Sequence, residues 1–169
     1  MRSVRCRMDP GSCPLAASTG LYLTVKVKIR PIDEDGCRGA LQQVWAEAGL
    51  STRPRGRDHP EALAEQLARD PDLLLGAYQD EELVGVVQCT WDGRKGFVNR
   101  LAVRPACHGQ GVGRALLAAC EAALRRRGAR IICALVELPN DPSLGLFEQA
   151  GYVRHPTIVY LSKRDHPEV

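Results

Sequence analysis

The sequence predicts an α/β protein of the α+β type: a single domain in which a mixed, mostly antiparallel sheet of six to seven strands is flanked by about four helices. Three observations point there. At 169 residues, 44% of them hydrophobic, the chain can bury one proper core but is short for two domains. Its predicted elements run β-α-α-β-β-β-α-β-α-β-β, and the consecutive hairpins in the middle argue against a doubly wound parallel sheet. Residues 108–116, HGQGVGRAL, pass from a strand to a helix through three glycines. There are no internal repeats.

The elements follow in order. Val25–Ile29 alternates apolar and basic residues as a strand does. Asp33, Glu34 and Asp35 suit a helix N-terminus, Leu41, Val44, Trp45 and Ala48 form its apolar stripe, and Gly49 stops it. The loop LSTRPRGRDHP follows, then a short helix over residues 60–69. Leu73–Tyr78 and Leu83–Thr90 flank a hairpin turn, and Asp92-Gly93 marks another turn before Phe97–Val103. Val112, Leu116, Cys120 and Leu124 recur at helical spacing, with Gly128 closing that helix. Ile131–Leu138 is rich in branched residues and predicts a strand. Asn140-Asp141-Pro142 opens a helix with a cap and a proline at its start, and Gly151 ends it. Tyr152–His155 and Thr157–Leu161 predict closing strands around Pro156.

Composition narrows the function classes. The formal charge is +3, but the first 24 residues hold three of the 23 basic and one of the 20 acidic residues. What remains is too near neutrality to argue for nucleic acid. No run approaches the ~18 apolar residues of a membrane span. Residues 1–24 hold few core-type residues and no apolar run of signal-peptide length, so a disordered extension is expected there. The domain is expected over 25–163, with 164–169 as a tail. The seven cysteines, Cys6, Cys13, Cys37, Cys89, Cys107, Cys120 and Cys133, show neither a CxxC pair nor zinc spacing. Reduced thiols in a cytoplasmic protein, and no metal site, are the expectation.

The glycines carry the chemistry. A helix N-terminus presents unpaired N–H groups and a partial positive charge, which makes it an anion site. Gly109, Gly111 and Gly113 let a ligand approach the backbone and allow positive φ. A phosphate at this turn is the functional reading. The Lys-Ser/Thr of a P-loop is missing, as is GxGxxG spacing, so spacing alone reaches only a pyrophosphate-like ligand.

Residues 101–117, LAVRPACHGQGVGRALL, closely resemble the acetyl-CoA-binding motif of the GCN5-related N-acetyltransferases, and 140–152, NDPSLGLFEQAGY, resemble that family's second signature. The WDGRKG turn and the RP…DHPE loop are similar to those of small bacterial members like the ribosomal-protein alanine acetyltransferases. The resemblance implies the acyl-CoA N-acyltransferase fold and direct transfer of acetyl from acetyl-CoA to a primary amine, without a covalent enzyme intermediate. It further implies that His108, Gly109, Gln110, Gly111, Val112, Gly113 and Arg114 hold the coenzyme A pyrophosphate, mostly through backbone N–H groups. Leu101 and Val103 would offer backbone groups to the pantetheine arm, which Asn140 would also hold. A small-molecule or peptide amine is the implied acceptor, and a homodimer is one option.

Two positions depart from the family pattern. His108 stands where Arg or Gln is usual, which implies weaker coenzyme affinity. Phe147 stands where many members place the Tyr that protonates the leaving thiolate; it lies beside the coenzyme but has no proton to give. Slowed transfer is expected, since a thiol leaves more readily than an amide. A non-catalytic acyl-CoA-binding domain is the alternative, and a nucleotide-binding module a third. Glu137, Tyr152 and Tyr160 are candidate bases with no choice among them, while Arg53, Arg55 and Arg57 suit recruitment of an acidic acceptor.

Overall fold

The structure is a computed structural model that describes residues 27–33, 35–36 and 39–166. The extension expected over residues 1–24 lies outside the described residues. One five-stranded sheet carries the fold, made of β1 (Lys28–Pro31), β2 (Leu74–Gln79), β3 (Glu82–Trp91), β4 (Gly96–Val103) and β5 (Ile132–Ala134), side by side in chain order. The first four are antiparallel, and β5 runs parallel to β4. The helices are α1 (Ala40–Glu47), α2 (Pro60–Arg69), α3 (Val112–Arg126) and α4 (Asp141–Gln149).

Side chains alternate faces along a strand, and here both faces are covered. Leu74, Tyr78, Val86 and Ala102 pack with Leu41, Val44 and Trp45 of α1 and Leu63 and Leu67 of α2. Leu75, Ala77, Val87 and Val98 pack with Leu116, Cys120 and Leu124 of α3 and Phe147 of α4. This explains why Leu73–Tyr78, which covers most of the second strand, reads as the unbroken apolar run LLLGAY instead of alternating. The β2–β3 turn places Asp80 at φ +48° and Glu81 at φ +65°, both positive as a two-residue hairpin requires. In the next turn Asp92 Oδ1 accepts the N–H groups of Arg94 at 2.7 Å and Lys95 at 2.6 Å.

Four expectations need correction. The sheet has five strands among the described residues, not six to seven. Tyr152–His155 and Thr157–Leu161 form no strand: Pro156 has no N–H to give, a turn bonds Ile158 N–H to His155 O, and no neighbour offers a ladder. Val153, Ile158, Val159, Tyr160 and Leu161 are all exposed, so their β propensity has no surface to pack on. The strand expected over Ile131–Leu138 shrinks to Ile132–Ala134, because β4 diverges beyond that point. Finally, the structure joins Cys89 of β3 to Cys120 of α3 inside the core, 31 residues apart in sequence. Reduced thiols were expected throughout, and only the packing of α3 on β3 discloses this pair.

Candidate active site

The site is organised around β4, whose neighbour β5 stays paired only from Gly96 to Val98. Beyond Val98 the two strands part, and a cleft opens between Asn99–Leu101 on one side and Leu135–Glu137 on the other. The outer backbone edge of β4 from Asn99 to Val103 therefore faces no strand. A β-bulge sharpens the divergence: Gln88 pairs with Arg100 and Cys89 with Val98, leaving Asn99 as the extra residue. Such bulges bend a strand and re-aim its side chains.

At its other end β4 runs through the short turn Pro105–Cys107 into α3. Gly109 takes φ +73° and Gly111 φ +83°, and a side chain added at either would meet nothing within 4 Å. Both are conformational requirements with open space in front. Gly113 differs: it is helical, and a Cβ there would lie 3.4 Å from Leu146 and 3.7 Å from Leu101. These are ordinary van der Waals distances, so this glycine marks where α3, α4 and β4 converge without being required for it. Gly111 caps α3 with no side-chain bond, and no acidic residue occupies the first turn. The first helical bond comes from Ala115 N–H to Gly111 O. The N–H groups of Val112, Gly113 and Arg114 thus lack helical acceptors.

The flanking side chains hold this turn. His108 Nε2–H donates to Val103 O at 2.8 Å, which fixes its tautomer and uses one carbonyl of the β4 edge. Gln110 donates to Ala106 O at 2.8 Å, and Arg114 to Gln149 of α4 at 2.8 Å. Asn140 caps α4 by accepting Ser143 N–H at 3.2 Å, a bond that uses its carbonyl oxygen and not its NH₂, and the residue lines the cleft. Phe147 is 9% exposed and closes the cleft from below. Leu101, Asn140 and Phe147 all line it, and Val103 through Arg114 continue the track to the helix end.

The candidate bases separate cleanly. Glu137 lines the cleft and is exposed. Tyr152 is packed edge-to-face on Phe147, ring centroids 5.0 Å apart. Burial, reinforced by the nearby Glu121 carboxylate, pushes its phenol above the ordinary tyrosine value. It turns toward α3 and is not among the cleft residues. Tyr160 is 65% exposed on the C-terminal segment, also away from the cleft.

The opposite wall contains residues that sequence reasoning missed. Asp58, 3% exposed, accepts Arg53 N–H at 2.6 Å and Arg100 Nη2 at 2.8 Å. Arg100 also donates to Ser51 O at 3.2 Å and lies over the Trp45 ring, 4.7 Å from its centroid. Burial lowers the Arg100 pKa and Asp58 offsets part of that, with Arg57 and Arg53 lowering it further and Glu137 raising it. The signal in the sequence was a lone arginine inside an apolar strand, which costs too much to bury without a partner.

The sequence pattern of the acetyltransferase (GNAT) family matches residues 40–152, more than half of the chain and all of the elements just described except β1. The chain belongs to the acetyltransferase (GNAT) family. It is an acetyl-CoA-dependent N-acetyltransferase acting on an amine. It is 36% identical over 110 residues to an acetyltransferase of Photorhabdus laumondii, covering 64% of this chain and 77% of the relative. An acetyltransferase of Pectobacterium atrosepticum is 36% identical over 113 residues, 67% of this chain and 79% of the relative. Among solved structures, the PaiA N-acetyltransferase of Thermoplasma acidophilum in complex with coenzyme A superposes with TM-score 0.62 at 18% identity, covering 79% of this chain and 93% of that one. An aminoglycoside N-acetyltransferase in complex with coenzyme A gives TM-score 0.61 at 18% identity, with 82% and 95% covered. These two share the fold of this acetyltransferase. No helix among its described residues is long and apolar enough to cross a membrane.

Proposed function

We propose that the acetyltransferase holds coenzyme A along the free edge of β4 and on the N-terminus of α3. The observation that carries this is continuity: the unpaired edge at Leu101–Val103 leads directly to three N–H groups without helical acceptors, with open space before Gly109 and Gly111. Backbone N–H groups at 112–114, with Gln110 and Arg114 beside them, suit a diphosphate. Leu101 and Val103 suit the amides of the pantetheine arm, and the Asn140 amide suits a carbonyl on the same arm. His108 already takes one of the two acceptor positions of Val103 O, so the coenzyme would share that carbonyl with the ring. This supports the weaker affinity expected from a histidine at this position.

Acetyl-CoA supplies a thioester, and the cleft supplies the rest. An acceptor amine arrives mostly as ammonium at neutral pH, its pKa being about 10. Glu137, the one carboxylate lining the cleft among the described residues, takes up a proton directly or through water. The amine nitrogen then bonds to the acetyl carbon, the carbon–sulfur bond breaks, and the nitrogen releases its second proton to water to leave the neutral amide. An N–H of β4 at Leu101 steadies the developing oxyanion. Phe147 gives no proton, so the thiolate departs unassisted by a side chain and takes its proton from solvent. The reading includes residues 25–163 as one catalytic domain, a small-molecule or peptide amine as acceptor, cytoplasmic residence beside the acetyl-CoA supply, and pairing into a homodimer.

Thermal unfolding with acetyl-CoA, CoA, NAD and ATP tests the coenzyme site. Ligand at about 100 times its dissociation constant stabilises by ~2.7 kcal/mol, so acetyl-CoA and CoA are expected to raise the midpoint by several degrees. NAD and ATP are expected to leave it in place. An unmoved midpoint with both coenzyme forms would remove this assignment of the glycine turn.

A further inference from the structure

The cleft has two walls of opposite charge, and the loop that forms one of them is locked in place. The loop Ser51–His59 carries Arg53, Arg55 and Arg57 past the β4 bulge. Asp58 ties it down from inside by holding Arg53 N–H and the Arg100 guanidinium, while Gln42 of α1 donates to Asp58 O at 3.2 Å. A cation stacked on Trp45 and paired to a buried carboxylate is hard to displace. The position of the loop relative to the cleft is therefore built into the fold.

The three loop arginines have different fates. Arg53 folds back to Ser51 Oγ and Thr52 O, both at 3.2 Å. Arg55 is exposed and is not a cleft residue. Arg57 lines the cleft with its side chain 52% exposed. Its nearest carboxylate oxygen, on Asp58, is 3.9 Å away and already takes the Arg100 hydrogen bond. One buried carboxylate thus faces the guanidinium groups of Arg57 and Arg100 together, and the loop wall keeps surplus positive charge at Arg57. Across the gap stands Glu137. A polyamine would meet Arg57 as a like charge, which disfavours it.

Resting on the transferase reading above, we propose that the acceptor is an amine that also carries a carboxylate, the ammonium end held at Glu137 and the carboxylate end at Arg57. Free amino acids and peptides with an acidic N-terminal residue share this chemistry. Arg57 is a specificity residue: it binds the acceptor and takes no part in bond making.

The test measures kcat/KM by release of free CoA for paired acceptors. One pair is an amino acid and the amine of the same skeleton without its carboxylate. Another is a peptide beginning with Glu and the same peptide beginning with Gln. The carboxylate-bearing member of at least one pair is expected to win by about 10- to 100-fold, the range of a charge-assisted hydrogen bond. The pair that shows it separates the two sources. In Arg57→Gln the ratio within that pair is expected to fall about tenfold or more through KM, and Arg57→Lys is expected to restore part of it. The acetyl-CoA midpoint shift checks that each variant is folded. CoA release without preference for a carboxylate, or a ratio indifferent to Arg57, overturns this proposal and leaves the transferase intact. No CoA release with any amine, despite a coenzyme-dependent midpoint shift, overturns the assignment of the cleft as an acceptor site, and this proposal with it.

Discussion

At its far end β4 meets the glycine turn proposed to hold coenzyme A, and at its middle it meets the loop Ser51–His59 proposed to border the acceptor, and the two meetings are built from different materials. The coenzyme end is made of backbone: two glycines at positive φ, an uncapped helix start and a strand edge with no partner. The acceptor end is made of side chains: Asp58, Arg100 and Trp45 hold the loop, and Arg57 and Glu137 face each other across the cleft. Backbone recognition serves a ligand part that every acetyl-CoA carries, whereas side-chain recognition leaves the acceptor open to change by substitution. The difference teaches where each half is fragile. A backbone site fails when a dihedral angle is denied to it, and a side-chain site fails when one member of a buried network is removed.

The largest effect is expected from Asp58→Ala. The carboxylate is 4% exposed and its partner Arg100 10% exposed, so the change leaves a buried guanidinium without its counter-ion. Breaking such a pair from one side costs about 3–5 kcal/mol, measurable as a lower midpoint in urea unfolding. The folded fraction is expected to keep its acetyl-CoA shift, because the coenzyme turn draws nothing from this network. A loss below ~1 kcal/mol would mean that the pair is effectively solvated and does not lock the loop.

Gly111→Val attacks the other half. The new side chain has room, but φ +83° is a left-handed conformation that costs an ordinary residue about 1–2 kcal/mol and a β-branched one more. Relief of that strain turns the N–H groups that start α3. Affinity for CoA is expected to fall about tenfold or more in a direct titration, while the unfolding midpoint without ligand drops by a smaller amount than in Asp58→Ala. Unchanged affinity would show that this turn does not hold the coenzyme.

The same contrast explains what could be read beforehand. The α2 bounds, the α3 start and the Asn140 cap matched the sequence closely, because glycine, proline and capping residues act within a few positions of themselves. The glycine turn and helix start of the proposed coenzyme half were legible for that reason. On the other side the loop arginines could be named from the sequence, but the network that holds them could not: Asp58 and Arg100 lie 42 residues apart, and Cys89 and Cys120 are 31 apart, so only tertiary packing pairs them. Glu137 could be named as one of three candidates, and proposing it over the others required seeing Tyr152 packed on Phe147. The closing strands failed for a related reason. Thr157–Leu161 has strand composition, but a strand also needs a partner edge, which composition does not disclose.

The smallest effect belongs to a charge cluster outside both halves, and it sets the baseline for the other two. Asp70 follows α2 and accepts from Arg69 Nε at 2.9 Å, and Arg127 at the end of α3 bridges Asp70 and Asp72. Burial alone would raise the Asp70 carboxyl, but the hydrogen bonds from Arg69 and Arg127 outweigh it and hold the pKa below the ordinary aspartate value. A depressed folded-state pKa stabilises the protein above the unfolded value of about 3.9. That contribution disappears as pH falls through the folded value. Asp70→Asn is therefore expected to cost roughly 0.5–1 kcal/mol at pH 7, the scale of a partly exposed network, and the difference from the parent should shrink as pH falls below the unfolded value and through the lower folded one. Neither the CoA affinity nor the acceptor ratio should move. A cost that persists undiminished in acid would mean that Asp70 acts through packing or its backbone turn, and that its ion pairs contribute nothing measurable.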